Sequence, residues 1–215
     1  LVGGGQEINT GEAGIAEWLQ AIQRSFPHWQ VRLPNTLVHD QILPNLMTTR
    51  DLHLATSIRS FRAEKLSDFV GHVIEGEAAA AQRVREALTD FPLLITRDLE
   101  AARDWLRRQR RGGERAGLLA SSNATRLKPH GVFVRAKIEP EKWFLANRDD
   151  VRSSDALEDA GTEFDVQGLE LDWACLCWDA NMRRVNDAWQ ALQFKGTRWQ
   201  AVNDQTRQAY VANSY

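Results

Sequence analysis

The chain has 215 residues, of which 43% are hydrophobic and 26% charged, with a formal net charge of -2. This is enough for one sizeable domain, or one domain with part of a neighbour, of ordinary globular composition. The near-neutral balance excludes a whole-chain basic signal, so nucleic-acid binding must come from local patches; apolar runs such as Phe91 to Ile95 are too short to span a membrane.

In chain order, Leu1-Val2 reads as the end of a buried strand and Gly3 to Gly5 as a turn with free backbone dihedrals. Leu1 to Gly5 has neither the charged n-region nor the apolar h-region of a signal peptide. Both ends read as cut: there is no initiator methionine, and Ala209 to Tyr215 stops without a polar tail. Ile15, Trp18, Leu19 and Ile22 recur at helical spacing until Pro27, and Trp29 to Leu33 alternates like a strand. Leu52 to Ile58 is short and apolar. The helix expected after it carries Phe61, Leu66, Phe69, Val70, Val73 and Ile74 inward.

Asp90 to Ile95 reads as a short buried strand, and Leu99 to Arg110 as an amphipathic helix burying Leu99, Ala102, Trp105 and Leu106. Gly112-Gly113 stops that helix. Ala116 to Ala120 is the next strand and Gly131 to Ala136 a further candidate. Asp149 to Asp159 is polar and Ser-rich, hence a loop. Leu169 to Trp178, hydrophobic on both faces, is expected as a central strand. The turn pair Lys195-Gly196 lies between Trp189 and Trp199, and Gln205 to Asn213 reads as a final helix. The alternation predicts an α/β fold with a mainly parallel sheet flanked by helices. Cys175 and Cys177 share a strand face as buried thiols, with no second pair to complete a zinc site. Reduced thiols suit a cytoplasmic compartment.

Four segments have residue types suited to chemistry. Val2 to Ile8 joins a strand end, a glycine turn and Gln6, where backbone can approach a phosphate and an amide can sense it; a plain turn has the same signature. No Gly-Lys-Ser/Thr follows, so it is not a P-loop. In Leu54 to Arg62, Arg59 stands at a strand–helix junction, where it could bind a phosphate bidentately or simply be solvated. Leu93 to Asp98 offers Thr96 or Asp98 as a helix cap, and Arg103, Arg107, Arg108, Arg110, Arg111 and Arg115 follow, either a solvated face or a phosphate-tracking patch. Thr162 to Asp172 has a turn at Gly168 and places Glu170 where the loop enters the strand, a common position for a site. His28, His39, His53, His72 and His130 lack metal-ligand spacing, and Trp18, Trp105, Trp143, Trp173 and Trp189 are most simply core.

In this order the segments resemble the motif series of superfamily 1 helicases. Val2-Gly3-Gly4-Gly5-Gln6 resembles the G-D-x-x-Q element, whose glutamine senses the nucleotide γ-phosphate. Leu54 to Ser60 resembles L-x-x-x-Y-R-S, with Ile58 replacing the aromatic, and Thr162 to Glu170 resembles T-x-x-x-x-Q-G-x-E. The chain is still more similar to the Schlafen group 3-like DNA/RNA helicase domain family. That similarity covers nearly the whole chain: Gly3 to Ile15, Gly117 to Ser122 with Arg126-Leu127-Lys128, and Glu163 to Glu170.

The resemblance implies a RecA-like P-loop NTPase fold. Residues 1–35 would be the tail of the first RecA-like lobe and its linker, and residues 36–215 a second lobe truncated at its C-terminal end. It implies catalytic roles for Gln6, Arg59 and Glu170, with Gly3, Gly5 and Gly168 also lining the nucleotide. Arg59 and Glu170 are expected at one C-terminal sheet edge. Thr96, Arg97, Ser121, Ser122 and Thr162, with Arg107, Arg108 and Arg111, would face nucleic acid.

ATP and Mg2+ are the implied cofactors of the intact protein. Single-stranded DNA or RNA and the first lobe are the implied partners, with no membrane. The P-loop lysine and acidic metal-binding motif are expected before Leu1, and the final arginine motif after Tyr215, so this segment alone is expected to be inactive and to bind no cofactor. Gly4, standing where the general motif has aspartate, leaves a second reading: a non-catalytic nucleic-acid-binding or interaction module of degenerate helicase architecture.

Overall fold

The computed structural model describes residues 14–35, 43–52, 64–89 and 91–215. The expectations for Leu1 to Gln6, for His53 to Phe61 with Arg59, and for Asp90 lie outside them. The chain divides into two compact units, one ending at Pro92 and the other running on from Leu93.

In the first unit, helix α1 (Gly14–Ser25) precedes strand β1 (Val31–Pro34), which pairs in parallel with β2 (Leu46–Thr49). Leu19 is buried, but Trp18 is 59% exposed, so its place on the apolar stripe does not make it core. Helices α2 (Glu64–Glu75) and α3 (Ala78–Glu86) pack together. Their short joint needs Gly76, whose φ of 81° lies in the left-handed region.

The second unit is an α/β layer. Helix α4 (Leu99–Gln109) covers a parallel sheet ordered β4 (Ala160–Gly161), β3 (Ala116–Leu119), β5 (Trp173–Leu176). The helical spacing puts Ala102 and Leu106 inward, onto a core of Ala116, Leu118, Val132, Val134 and Leu157. Helix α5 (Pro140–Leu145) sets Trp143 at 1% exposure against Gly117 and Gly161. A Cβ on Gly117 would come within 2.8 Å of Leu171 and 3.0 Å of Trp143, so a bare backbone is needed there. Short helix α6 (Glu163–Val166) follows β4. An antiparallel sheet of β6 (Met182–Val185), β7 (Ala188–Lys195) and β8 (Arg198–Ala201) follows β5, and α7 (Gln205–Asn213) follows β8.

Three expectations are corrected. Asp90 to Ile95 forms no strand among its described residues: Leu94 is 52% and Ile95 97% exposed, and Pro92 supplies no N–H for a ladder. Gly131 to Ala136 is a run of turns; Val132 and Val134 enter the core without strand pairing. The central strand is β3, with β5 at the edge and Leu176 exposed.

The polar stretch read as a loop contains the best-connected carboxylate of the unit. Asp155 is 4% exposed. Its Oδ1 accepts from Arg110 Nη1 at 2.7 Å and from the Ala116 backbone N–H at 2.9 Å. Arg115 and Arg148 approach its Oδ2 at 3.8 and 3.7 Å. Arg148 also donates to the Gly112 and Glu114 carbonyls, and Arg115 to that of Ala146. The loop is thereby fastened to the end of α4 and the start of β3.

Removing one partner of a buried ion-pair network strands the others. Asp155→Ala is expected to cost about 3–5 kcal/mol of unfolding free energy, measured as a lower urea midpoint with an unchanged m-value. A loss below about 1 kcal/mol, the range of an exposed ion pair, would contradict this role.

Candidate nucleic-acid interface

Parallel α/β sheets place their sites beyond the carboxyl ends of the strands. Beyond β3 lie Ser121 and Ser122, and beyond β4 lie Thr162 and Glu163. The structure joins them: the Glu163 carboxylate accepts from the Ser122 backbone N–H at 2.8 Å and from its hydroxyl at 2.7 Å. Thr162 is buried and donates through its backbone N–H and its hydroxyl to Asp165, at 2.9 and 2.6 Å, forming the capping box that starts α6.

Ser121 is fully buried, its hydroxyl 2.8 Å from that of Ser214. The hydroxyls of Ser122 and Tyr210 lie 3.5 Å apart, so α7 is tied to the same edge. Next to it, the Tyr215 hydroxyl accepts from the Asp179 N–H and donates to Asn181 Oδ1. Burial pushes the Tyr215 phenol well above its ordinary value. The Tyr215 ring stacks on Trp178 at 4.3 Å, and Trp178 stacks on Trp189 at 5.5 Å. None of Ser214, Tyr210, Asp179 or Asn181 was expected from the sequence. They have no shared motif, and only the fold brings them to one edge.

Glu170 and Gly168 lie elsewhere. They precede β5, whose first residue Trp173 pairs with Ala116, the first residue of β3, so Glu170 is at the amino edge of the parallel sheet and not the expected carboxyl edge. Gly168, with φ of 85°, makes the turn, and a Cβ there would meet nothing within 4 Å. Glu170 is exposed. A carboxylate accepts but does not donate, so Glu170 with an open turn does not itself fit a polyphosphate anion. Gln6, Arg59, Gly3 and Gly5 are outside the described residues.

At the start of α4, Thr96 accepts from the Asp98 N–H, and Asp98 caps the helix by accepting from Glu100 and Ala101. The carboxylate occupies the helix N-terminus that a phosphate could have used. Arg97 is exposed. The six arginines near α4 divide by partner. Arg103 pairs with Glu100 and Arg107 with Asp104 on the same helix, while Arg110 and Arg115 turn toward Asp155. Arg108 and Arg111 remain exposed. In the first unit, His72 with Glu75 and Glu77 forms a cluster missed by the spacing argument; the 2.7 Å bond of His72 to Glu77 accounts for its closest pair.

Cys175 and Cys177 share a face as expected, with their sulfurs 3.9 Å apart. The hydrogen bond from Cys177 lowers the Cys175 thiol to about 7, against the opposing effect of burial and with help from the Arg103 guanidinium. The same bond and burial push Cys177 upward.

The chain matches the family described as Schlafen group 3, DNA/RNA helicase domain, over residues 1–215. No curated protein and no solved structure gives a significant match. Among the described residues no helix is long and apolar enough to cross a membrane.

Alkylation by iodoacetamide, counted as adducts by mass spectrometry, is expected to rise with pH about a midpoint near 7 at Cys175. Cys177→Ala removes the donor, and the midpoint is expected to move up toward about 8.5, the value of a free thiol. A wild-type midpoint already there would contradict the pairing.

Proposed function

Because this chain belongs to the Schlafen group 3 DNA/RNA helicase domain family, we propose that it supplies the nucleic-acid side of an ATP-dependent DNA or RNA helicase or single-strand translocase. The observation that carries the reading is the joining of Ser122 to Glu163. These residues come from two helicase-like motifs 41 positions apart and meet at the carboxyl edge of a parallel sheet. Glu163 makes the loop after β3 and the start of α6 one body, and Tyr210 adds α7. Phe164, 47% exposed, offers a face on which a base can stack. A single strand laid along this edge would contact Ser122 and Phe164, while Ser121 and Thr162 hold the edge from beneath.

The wider proposal keeps a RecA-like fold, with residues 1–35 as the tail and linker of a first lobe and residues 36–215 as the second. In it Gln6 and Arg59 sense the ATP that the intact protein binds with Mg2+, on the strength of their motif resemblance. Arg97, Arg108 and Arg111 would add longer-range attraction for a polyanion, while Arg107 is already paired with Asp104.

The test is ATP turnover by the intact protein with and without single-stranded DNA and RNA. Turnover stimulated by one of the strands, and none by residues 1–215 alone, is the expected result. Strand binding with no turnover under either condition would replace the motor with a binding module.

A further inference from the structure

The antiparallel sheet that follows β5 lies outside the helicase-like segments, and it forms a cation–aromatic cluster with Arg126. Its turns are tight: Asn186 and Asp187 both take positive φ, 49° and 63°, between β6 and β7, and Gly196 takes 60° between β7 and β8. The register sets Phe194 opposite Trp199, so the two rings share a face, with centroids 5.3 Å apart and planes at 75°. Arg183 reaches the same face, its Cζ 5.8 Å from the Trp199 ring. From the 3-10 turn Thr125–His130, Arg126 lies 4.3 Å over the Phe194 ring. Two cations therefore flank a pair of rings, in the order Arg126, Phe194, Trp199, Arg183.

The two guanidiniums are exposed over half-buried rings, and neither has an ion-pair partner among the described residues. This distinguishes them from Arg103 and Arg107 of α4, which acidic neighbours neutralise. A guanidinium resting on a ring stays charged and oriented, and its N–H edges remain open to a phosphate. Lys195 and Arg198, at the β7–β8 turn, add two exposed cations, and the sheet has one acidic residue, Asp187, which pairs with Arg184. Uncompensated cations beside aromatic rings suit a single-stranded nucleic acid, which offers phosphates to the cations and bases to the rings.

We propose that this cation–aromatic ladder is a second nucleic-acid contact, holding the phosphates of a single strand through Arg126 and Arg183. It rests on the nucleic-acid reading above, and the test separates the two. Binding of short fluorescein-labelled oligo(dT) and oligo(U) to the intact protein is followed by anisotropy over a salt series. R126Q/R183Q is expected to weaken binding and to flatten the log–log salt slope by about 1.4, since each phosphate contact on a single strand contributes about 0.7. R126K/R183K keeps both charges and is expected to retain the slope, which separates lost contacts from a damaged fold. An unchanged slope in a glutamine variant that still binds would overturn the ladder and leave the carboxyl-edge site standing. Failure of the wild-type protein to bind either strand would overturn both.

Discussion

The buried Asp155 carboxylate is the constraint on which the second unit depends. It sits in a polar segment with little apolar content of its own, yet its single Oδ1 serves the last turn of α4 and the first amide of β3. A helix of 11 residues and a strand of four have little independent stability. What fixes their relative position is the apolar core that Leu106 and Leu118 both enter, together with this charge-assisted junction at the amino end of the strand. With that end held, the carboxyl ends of β3 and β4 are set beside each other by their register, Leu119 opposite Gly161.

The two edges of the sheet thus do different work. The amino edge spends its arginines on structure: Arg110, Arg115 and Arg148 converge on one carboxylate. The carboxyl edge is assembled from hydroxyls, carboxylates and aromatic rings, and neither Arg126 nor Arg183 of the adjoining antiparallel sheet has an acid to neutralise it among the described residues. A basic count along the chain does not distinguish these groups; only partner identity does. The α4 region has the densest run of arginine, yet most of that charge is already paired within the protein.

Much of the secondary structure was legible. The spacing of Leu99, Ala102 and Leu106, the stop at Gly112 and the short apolar run at Ala116 correspond to α4 and β3. The Cys175–Cys177 face followed from strand period alone. Gly131 to Ala136 misled because alternating valines also suit successive turns over a core, and Leu169 to Trp178 because hydrophobicity on both faces does not distinguish an edge from a centre. Of the site, Ser122 and Thr162 could be named from motifs, and Glu163 lay within one. Its partnership with Ser122 could not be read, nor the seats of Arg126 on Phe194 and Arg183 near Trp199, because each joins positions distant in the chain. Asp155 was missed since a buried carboxylate and a solvated one look alike in a Ser-rich stretch.

The proposed path of a single strand runs over the carboxyl edge and the antiparallel sheet of the second unit. Amide hydrogen exchange of the intact protein, with and without a saturating single strand, tests that placement most directly, since amides covered or stabilised by a ligand exchange more slowly. Slower exchange in residues 121–126 and 182–201, with α2 and α3 unchanged, is the predicted result. Slowing confined to α4, or none at saturation, would contradict it.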